Sequence, residues 1–155
     1  MTWHLNNQDM TATELESTLR LRRNMAAETE VVEFKEAKNN YDFNKLGKYF
    51  SALSNEANLK GKTRAWLVFG IENKHHKVVN SQLRPNRKDL DSLKGEIGSK
   101  TTNRITFVEI HELYQPEGRV VMFEIPAAPK GFPVAFDGHS YGRDGEEKSI
   151  THSIF

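Results

Sequence analysis

Apolar and charged residues alternate along residues 31–37, with Val32 and Phe34 on one side and Glu33 and Lys35 on the other. That alternation predicts a half-buried strand. Farther on, Phe43, Leu46, Phe50 and Leu53 recur at helical spacing behind Asp42, whose carboxylate can cap a first turn, so a helix is expected to end near Asn55. An earlier helix is predicted from Thr13-Glu14-Leu15-Glu16, which fits a capping box, with Leu15 and Leu19 as its apolar stripe to about Arg23. Residues 58–63 read as a loop, and residues 65–71 are apolar on both faces, as a central strand should be. A polar hairpin-like stretch at 74–77 follows, and Asp89, Leu90, Leu93 and Ile97 predict a short helix stopped by Gly98. Beyond it the pattern turns to strands. Residues 105–114 and 119–125 flank Gln115-Pro116-Glu117-Gly118, a strong turn signal, and shorter strands are expected at 133–136 and 139–142. This order predicts an α/β (α+β) fold, a mixed β-sheet with helices packed on it, and not a doubly wound parallel sheet.

Length and composition narrow the class. A chain of 155 residues is expected to form a single domain, 1–155, and its 37% apolar content is enough for a core without staples. The absence of cysteine excludes disulfides, thiolate metal sites and a cysteine nucleophile. No apolar run approaches the ~20 residues that span a bilayer. The start, Met1-Thr2-Trp3-His4-Leu5, lacks the pattern of a secretory signal, so a soluble, cytoplasmic protein is expected. Residues 149–155 stop on apolar side chains without a terminal cap, as in a domain cut from a longer protein or a tail that docks.

The formal net charge is only +1, but residues 35–104 carry 15 basic and 7 acidic side chains between two acidic flanks. Such a field steers polyanions unless folding interleaves the segments. Lys60, Lys62 and Arg64 in one loop, with Arg84, Arg87, Lys88, Lys94, Lys100 and Arg104 in a second cluster, are the candidates for phosphate contacts. A solubilising surface is the plain alternative. Glu33-Phe34-Lys35 is a Glu-x-Lys on a strand, a pair with which metal-dependent nucleases hold a hard cation and steady a phosphate. Equal spacing recurs at Glu36/Lys38, Glu72/Lys74 and Glu146/Lys148, so a solvated ion pair is the competing reading. Glu28 lies a short reach before Glu33, and Glu72 ends the strand expected beside it. His75-His76 has no zinc-site spacing, and no P-loop, dinucleotide fingerprint or Gly-x-Ser-x-Gly occurs.

Glu28-Thr29-Glu30-Val31-Val32-Glu33-Phe34-Lys35 resembles the Glu-(Ser/Thr)-x-x-hydrophobic-Glu-Phe-Lys signature of the Schlafen AlbA-like domain. Three further pieces fall in the same order. Phe50-Ser51-Ala52-Leu53-Ser54-Asn55-Glu56 is similar to the helix ending in Ala-x-x-Asn, and Trp66-Leu67-Val68-Phe69-Gly70-Ile71-Glu72-Asn73 to the strand with Gly-Val-Asp/Glu-Asp/Asn. Phe132-Pro133-Val134-Ala135 and Tyr141-Gly142-Arg143-Asp144-Gly145 resemble the closing strands with their Arg-x-Gly element, so the likeness spans about residues 14–148. It implies a DNA-binding module, often the N-terminal part of a transcriptional regulator followed by ATPase-like and winged-helix regions. In animal Schlafens the domain acts as a metal-dependent RNA endonuclease through three acids. Carried over by motif, these are Glu28, Glu33 and Glu72, with Lys35 beside the phosphate and Mg²⁺ or Mn²⁺ as the cation. Those enzymes pair two copies into a cradle, so a comparable groove here would need a homodimer. Residues 56–64 replace the family's Gly-Gly turn with a longer basic loop. Three readings stay open: a DNA- or RNA-binding domain, a metal-dependent endonuclease, and an interaction or dimerisation module.

Overall fold

A computed structural model describes residues 31–144 and 149–152, the backbone alone for Asp144 and 149–152, together with Thr13 and Leu19, both helical. Glu14, Leu15, Glu16 and Glu28 lie outside the described residues. The chain runs β1 (Val32–Lys35), α1 (Phe43–Leu59), β2 (Arg64–Phe69), α2 (Arg87–Gly98), a 3-10 turn (Thr102–Arg104), β3 (Glu109–Gln115), β4 (Gly118–Pro126), β5 (Ala135–Phe136), β6 (His139–Asp144) and β7 (Ser149–His152).

The main sheet has the order β1-β2-β4-β3, with β1 parallel to β2 and the other pairs antiparallel. It is mixed, as the pattern predicts. Alternation along each strand sends Leu67, Phe69, Ile110, Val121 and Phe123 to one face, under Leu46, Phe50 and Leu53 of α1 and Leu90, Leu93 and Ile97 of α2. Val32, Phe34, Trp66, Val68, Leu113 and Met122 point to the other face and pack with Leu19. Both faces are therefore covered. This corrects the half-buried strand: Glu33 pairs in register with Leu67 on the α1 side and is itself buried.

Helix α1 begins as expected, with Asp42 accepting from the Lys45 N–H at 2.9 Å, but it continues past Asn55 to Leu59. Residues 56–59 therefore belong to the helix, with Ala57 buried, and the basic turn before β2 is reduced to residues 60–63. Helix α2 is capped by Asn86, whose side chain accepts from Lys88 and Asp89 N–H groups. The predicted strand at 105–114 starts only at Glu109, because the 3-10 turn and its exit occupy the preceding residues.

Strands β5, β6 and β7 form a second, antiparallel sheet against the opposite side of α1. Small residues on α1 let it approach. A Cβ on Gly47 would sit 2.1 Å from the Phe136 ring. One turn on, the Ser51 hydroxyl donates to Val134 O and accepts from Tyr141 N–H. The Asn55 amide donates to Val134 O and Tyr141 O at 3.1 Å each, and its carbonyl accepts from Val134 N–H at 2.7 Å. Helix α1 is thus the middle layer between two sheets, fastened to the outer one by buried polar groups that replace part of a strand ladder.

Candidate functional site

The carboxylate expected to hold a metal is held by an arginine. Arg143, on β6, passes beside α1 to reach β1, and one of its Nη atoms donates to Glu33 at 2.6 Å and to Val32 O at 2.9 Å. Its Nε and other Nη form a fork with Glu56 of α1 at 2.7 and 2.8 Å. The side chains of Arg143 and Glu33 are 4% and 1% exposed. Lys60 closes the Glu56 end at 2.9 Å, and Lys35 stands 3.5 Å from Glu33 with its ammonium 4.6 Å above the Tyr49 ring. Burial alone would lower the Arg143 pKa, but the hydrogen bonds and charges of Glu56, then Glu33, reverse that and raise it. At Glu56 burial acts upward, and Arg143 followed by Lys60 brings the carboxyl below its ordinary value. One guanidinium therefore joins three layers, and three of the sequence fragments that carry the resemblance meet on it.

Glu72 has different partners. It lies past Gly70, where a left-handed backbone (φ +94°) breaks the alternation of β2, and its carboxylate accepts from the His75 backbone N–H and faces His75 Nδ1 at 3.2 Å. The hydrogen bond from the His75 backbone leads the causes that hold the Glu72 carboxyl below its usual range. His76 of the same turn packs on Phe34, which belongs to the face opposite Glu33. Among the described residues, no group of three His, Asp or Glu side chains is arranged to hold a metal ion. Glu33 and Glu72 as placed do not fit Mg²⁺ or Mn²⁺, since the oxygens of Glu33 are taken by Arg143 and Lys35 and those of Glu72 by His75. Glu28 lies outside the described residues.

The nine basic candidates divide by their partners. Lys60 pairs with Glu56, Arg64 with Glu124, Arg84 with Glu96, Arg87 with Asp91 and Glu112, and Lys94 with Glu109. Lys62, Lys88, Lys100 and Arg104 are exposed and face no carboxylate within 4 Å among the described residues. Three of those four gather at one end of the main sheet, where β2 and β3 begin and β4 finishes. Lys62 is in the turn from α1 into β2, while Lys100 and Arg104 are in the turn from α2 toward β3. Segment 127–137 bridges them: Ala127 N–H donates to Thr63 O, Ala135 N–H to Thr102 Oγ1 and Asp137 N–H to Lys100 O. The bridge carries Lys130, which the sequence reading passed over. Lys88 starts α2 at its other end, on the Arg87 side that meets Glu112. Asp137 is exposed on the bridge, and the nearby Glu56, Glu109 and Glu124 are each paired with a cation. The end of the sheet thus gathers Lys62, Lys100, Arg104 and Lys130, whereas Lys45, Lys48, Lys74, Lys77 and Lys88, also without a carboxylate partner among the described residues, lie on other segments.

The chain is an α+β domain in which α1 lies between a mixed sheet and a small antiparallel sheet, and Arg143 joins Glu33 of the edge strand β1 to Glu56 of α1. The sequence profile described as Schlafen, AlbA_2 matches residues 28–151, and the chain belongs to that family. No curated protein matches the sequence. Among solved structures, the chain is similar to the DIP2311 protein from Corynebacterium diphtheriae, with a TM-score of 0.57 and 19% identity, over 90% of this chain and 25% of that one. At that identity the likeness concerns the fold. Among the described residues no helix is long and apolar enough to cross a membrane.

Proposed function

We propose that this chain is a nucleic-acid-binding domain, the DNA-binding part of a transcriptional regulator, and that its phosphate contacts are made by Lys62, Lys100, Arg104 and Lys130. The observation that carries this is the clustering of cations: Lys62, Lys100, Arg104 and Lys130 collect at one end of the sheet without a carboxylate partner among the described residues, while Lys60, Arg64, Arg84, Arg87 and Lys94 neutralise carboxylates. Cations already paired contribute little to a polyanion, because a new phosphate contact must displace a carboxylate. Free lysines and arginines on turns reach phosphates and release counterions. Membership of the Schlafen AlbA_2 family supports the nucleic-acid reading. Two copies placed side by side would double this face, which is how a homodimer would gain affinity without new chemistry.

The endonuclease reading has no such support, because Glu33 acts here as the counter-ion of a buried arginine. A polarisation titration with labelled duplex DNA, single-stranded DNA and a folded RNA tests the proposal. Binding whose logarithm falls linearly with log salt is expected for at least one of them. No binding to any at low salt would overturn it.

A further inference from the structure

The same end of the sheet presents apolar surface. Leu59, Val108 and Phe132 are 64%, 53% and 68% exposed, and Phe132 is the largest of them. Phe132 lies in Pro129-Lys130-Gly131-Phe132-Pro133, a loop fastened at both ends to α1. Ala128 N–H donates to Ser54 O at 2.9 Å, and Val134 N–H donates to Asn55 Oδ1 at 2.7 Å. Within the loop the Phe132 N–H donates to Pro129 O at 2.9 Å, across Gly131, whose φ of +82° suits glycine. The ring is held outward by a short, braced turn. Leaving a phenylalanine in water forgoes roughly 1.5–3 kcal/mol of burial, which suggests an occupant for its face.

We infer that Phe132 is a base-stacking residue for single-stranded nucleic acid, with the flanking phosphates on Lys130 and Lys62 to one side and Lys100 and Arg104 to the other. This rests on the nucleic-acid reading above and narrows its substrate. The cations select a polyanion, and an aromatic face among them selects one whose bases are open. A single strand offers a π-face at every nucleotide, whereas a duplex keeps its bases stacked inside and would meet only the lysines and arginines. Asp137 is the one exposed carboxylate on the bridging segment. It marks a place the phosphate path should avoid.

The test compares the full chain with Phe132→Ala and Phe132→Trp, titrated with a labelled 20-nucleotide single strand and with its duplex. The ring is exposed, so the melting temperature of Phe132→Ala should stay at the wild-type value. Single-strand affinity should fall roughly ten-fold in Phe132→Ala, as expected for one lost stack, and stay at or above wild type in Phe132→Trp. Duplex affinity should change less than two-fold. Salt-dependent wild-type binding with equal affinities for wild type and Phe132→Ala would overturn the stacking inference and leave the phosphate reading standing. Equal losses on single strand and duplex would also overturn it. A wild-type chain that binds neither at low salt would overturn both.

Discussion

Replacing Arg143 with methionine keeps most of the side-chain length while removing the charge that three layers share. Glu33 would then be left 99% buried, with Lys35 at 3.5 Å as its remaining partner, and Val32 O would lose a donor. Breaking a buried, hydrogen-bonded ion pair by deleting one member costs about 3–5 kcal/mol. Glu56 adds little to that figure, because it keeps Lys60 and a more solvated position. For a chain of this size the loss corresponds to a melting temperature lower by about 10 °C. The assay is thermal and urea unfolding of Arg143→Met, Glu33→Gln and the double variant. Removing the stranded carboxylate should restore stability, giving a coupling of about 2 kcal/mol in the cycle. Nucleic-acid affinity, measured where the variant is folded, should equal wild type because the guanidinium is buried away from the cation face. Additive single losses, with coupling under about 0.5 kcal/mol, would refute the clamp. A folded Arg143→Met with lost affinity would refute its purely structural role. The pH dependence has a definite sign. The folded-state pKa of Glu56 is depressed, so its contribution is present above the unfolded carboxylate value near 4.5 and is lost as pH falls below it. Wild type should therefore lose more stability than Arg143→Met on acidification through that range.

Two substitutions on α1 probe its contact with the small sheet. Asn55→Ala strands Val134 N–H, leaves Val134 O with the Ser51 hydroxyl alone and weakens the hold on Tyr141 O, all in a buried setting, so a loss of about 2 kcal/mol is expected in urea unfolding. Gly47→Ala improves helix propensity by about 1 kcal/mol but drives a methyl group into the buried Phe136 ring, so a net loss of about 1–2 kcal/mol is expected in thermal melts.

The regular elements were legible where one rule governed them. Asp42 caps α1, the 115–118 turn joins β3 to β4, and the apolar run at 65–71 lies in the interior of the sheet. Errors arose where a distant segment decided the outcome. Glu33 and Lys35 look solvent-facing because their alternation with Val32 and Phe34 is that of a one-sided strand. Only the arrival of α1 and β6 over that face buries Glu33. Its partner Arg143 is 110 residues away, and the Arg-x-Gly likeness marks that arginine without showing which carboxylates it meets. The large apolar residues at helical spacing run only from Phe43 to Leu53, so the pattern ends the helix near Asn55, yet that amide is spent on Val134 and Tyr141 and the helix continues to Leu59. Strand β7 leaves no clear pattern, because Ser149 to His152 is short and mixed in polarity. The cation candidates were readable as types, but which were free depended on carboxylates brought in from other elements. Phe132 is visible as part of a closing-strand fragment, but its exposure is not, and Lys130 is a lone lysine with no local mark of function.

The most direct test is the salt dependence of single-stranded DNA binding for wild type, for Lys62→Gln/Lys100→Gln/Arg104→Gln, and for the control Lys74→Gln/Lys77→Gln in the turn beyond β2 at the opposite end of the sheet. If phosphates lie on the free cations, the slope of log affinity against log salt should become shallower by about 2 in the triple variant. The control should keep the wild-type slope. Equal slopes in all three proteins, or a change confined to the control, would contradict the account.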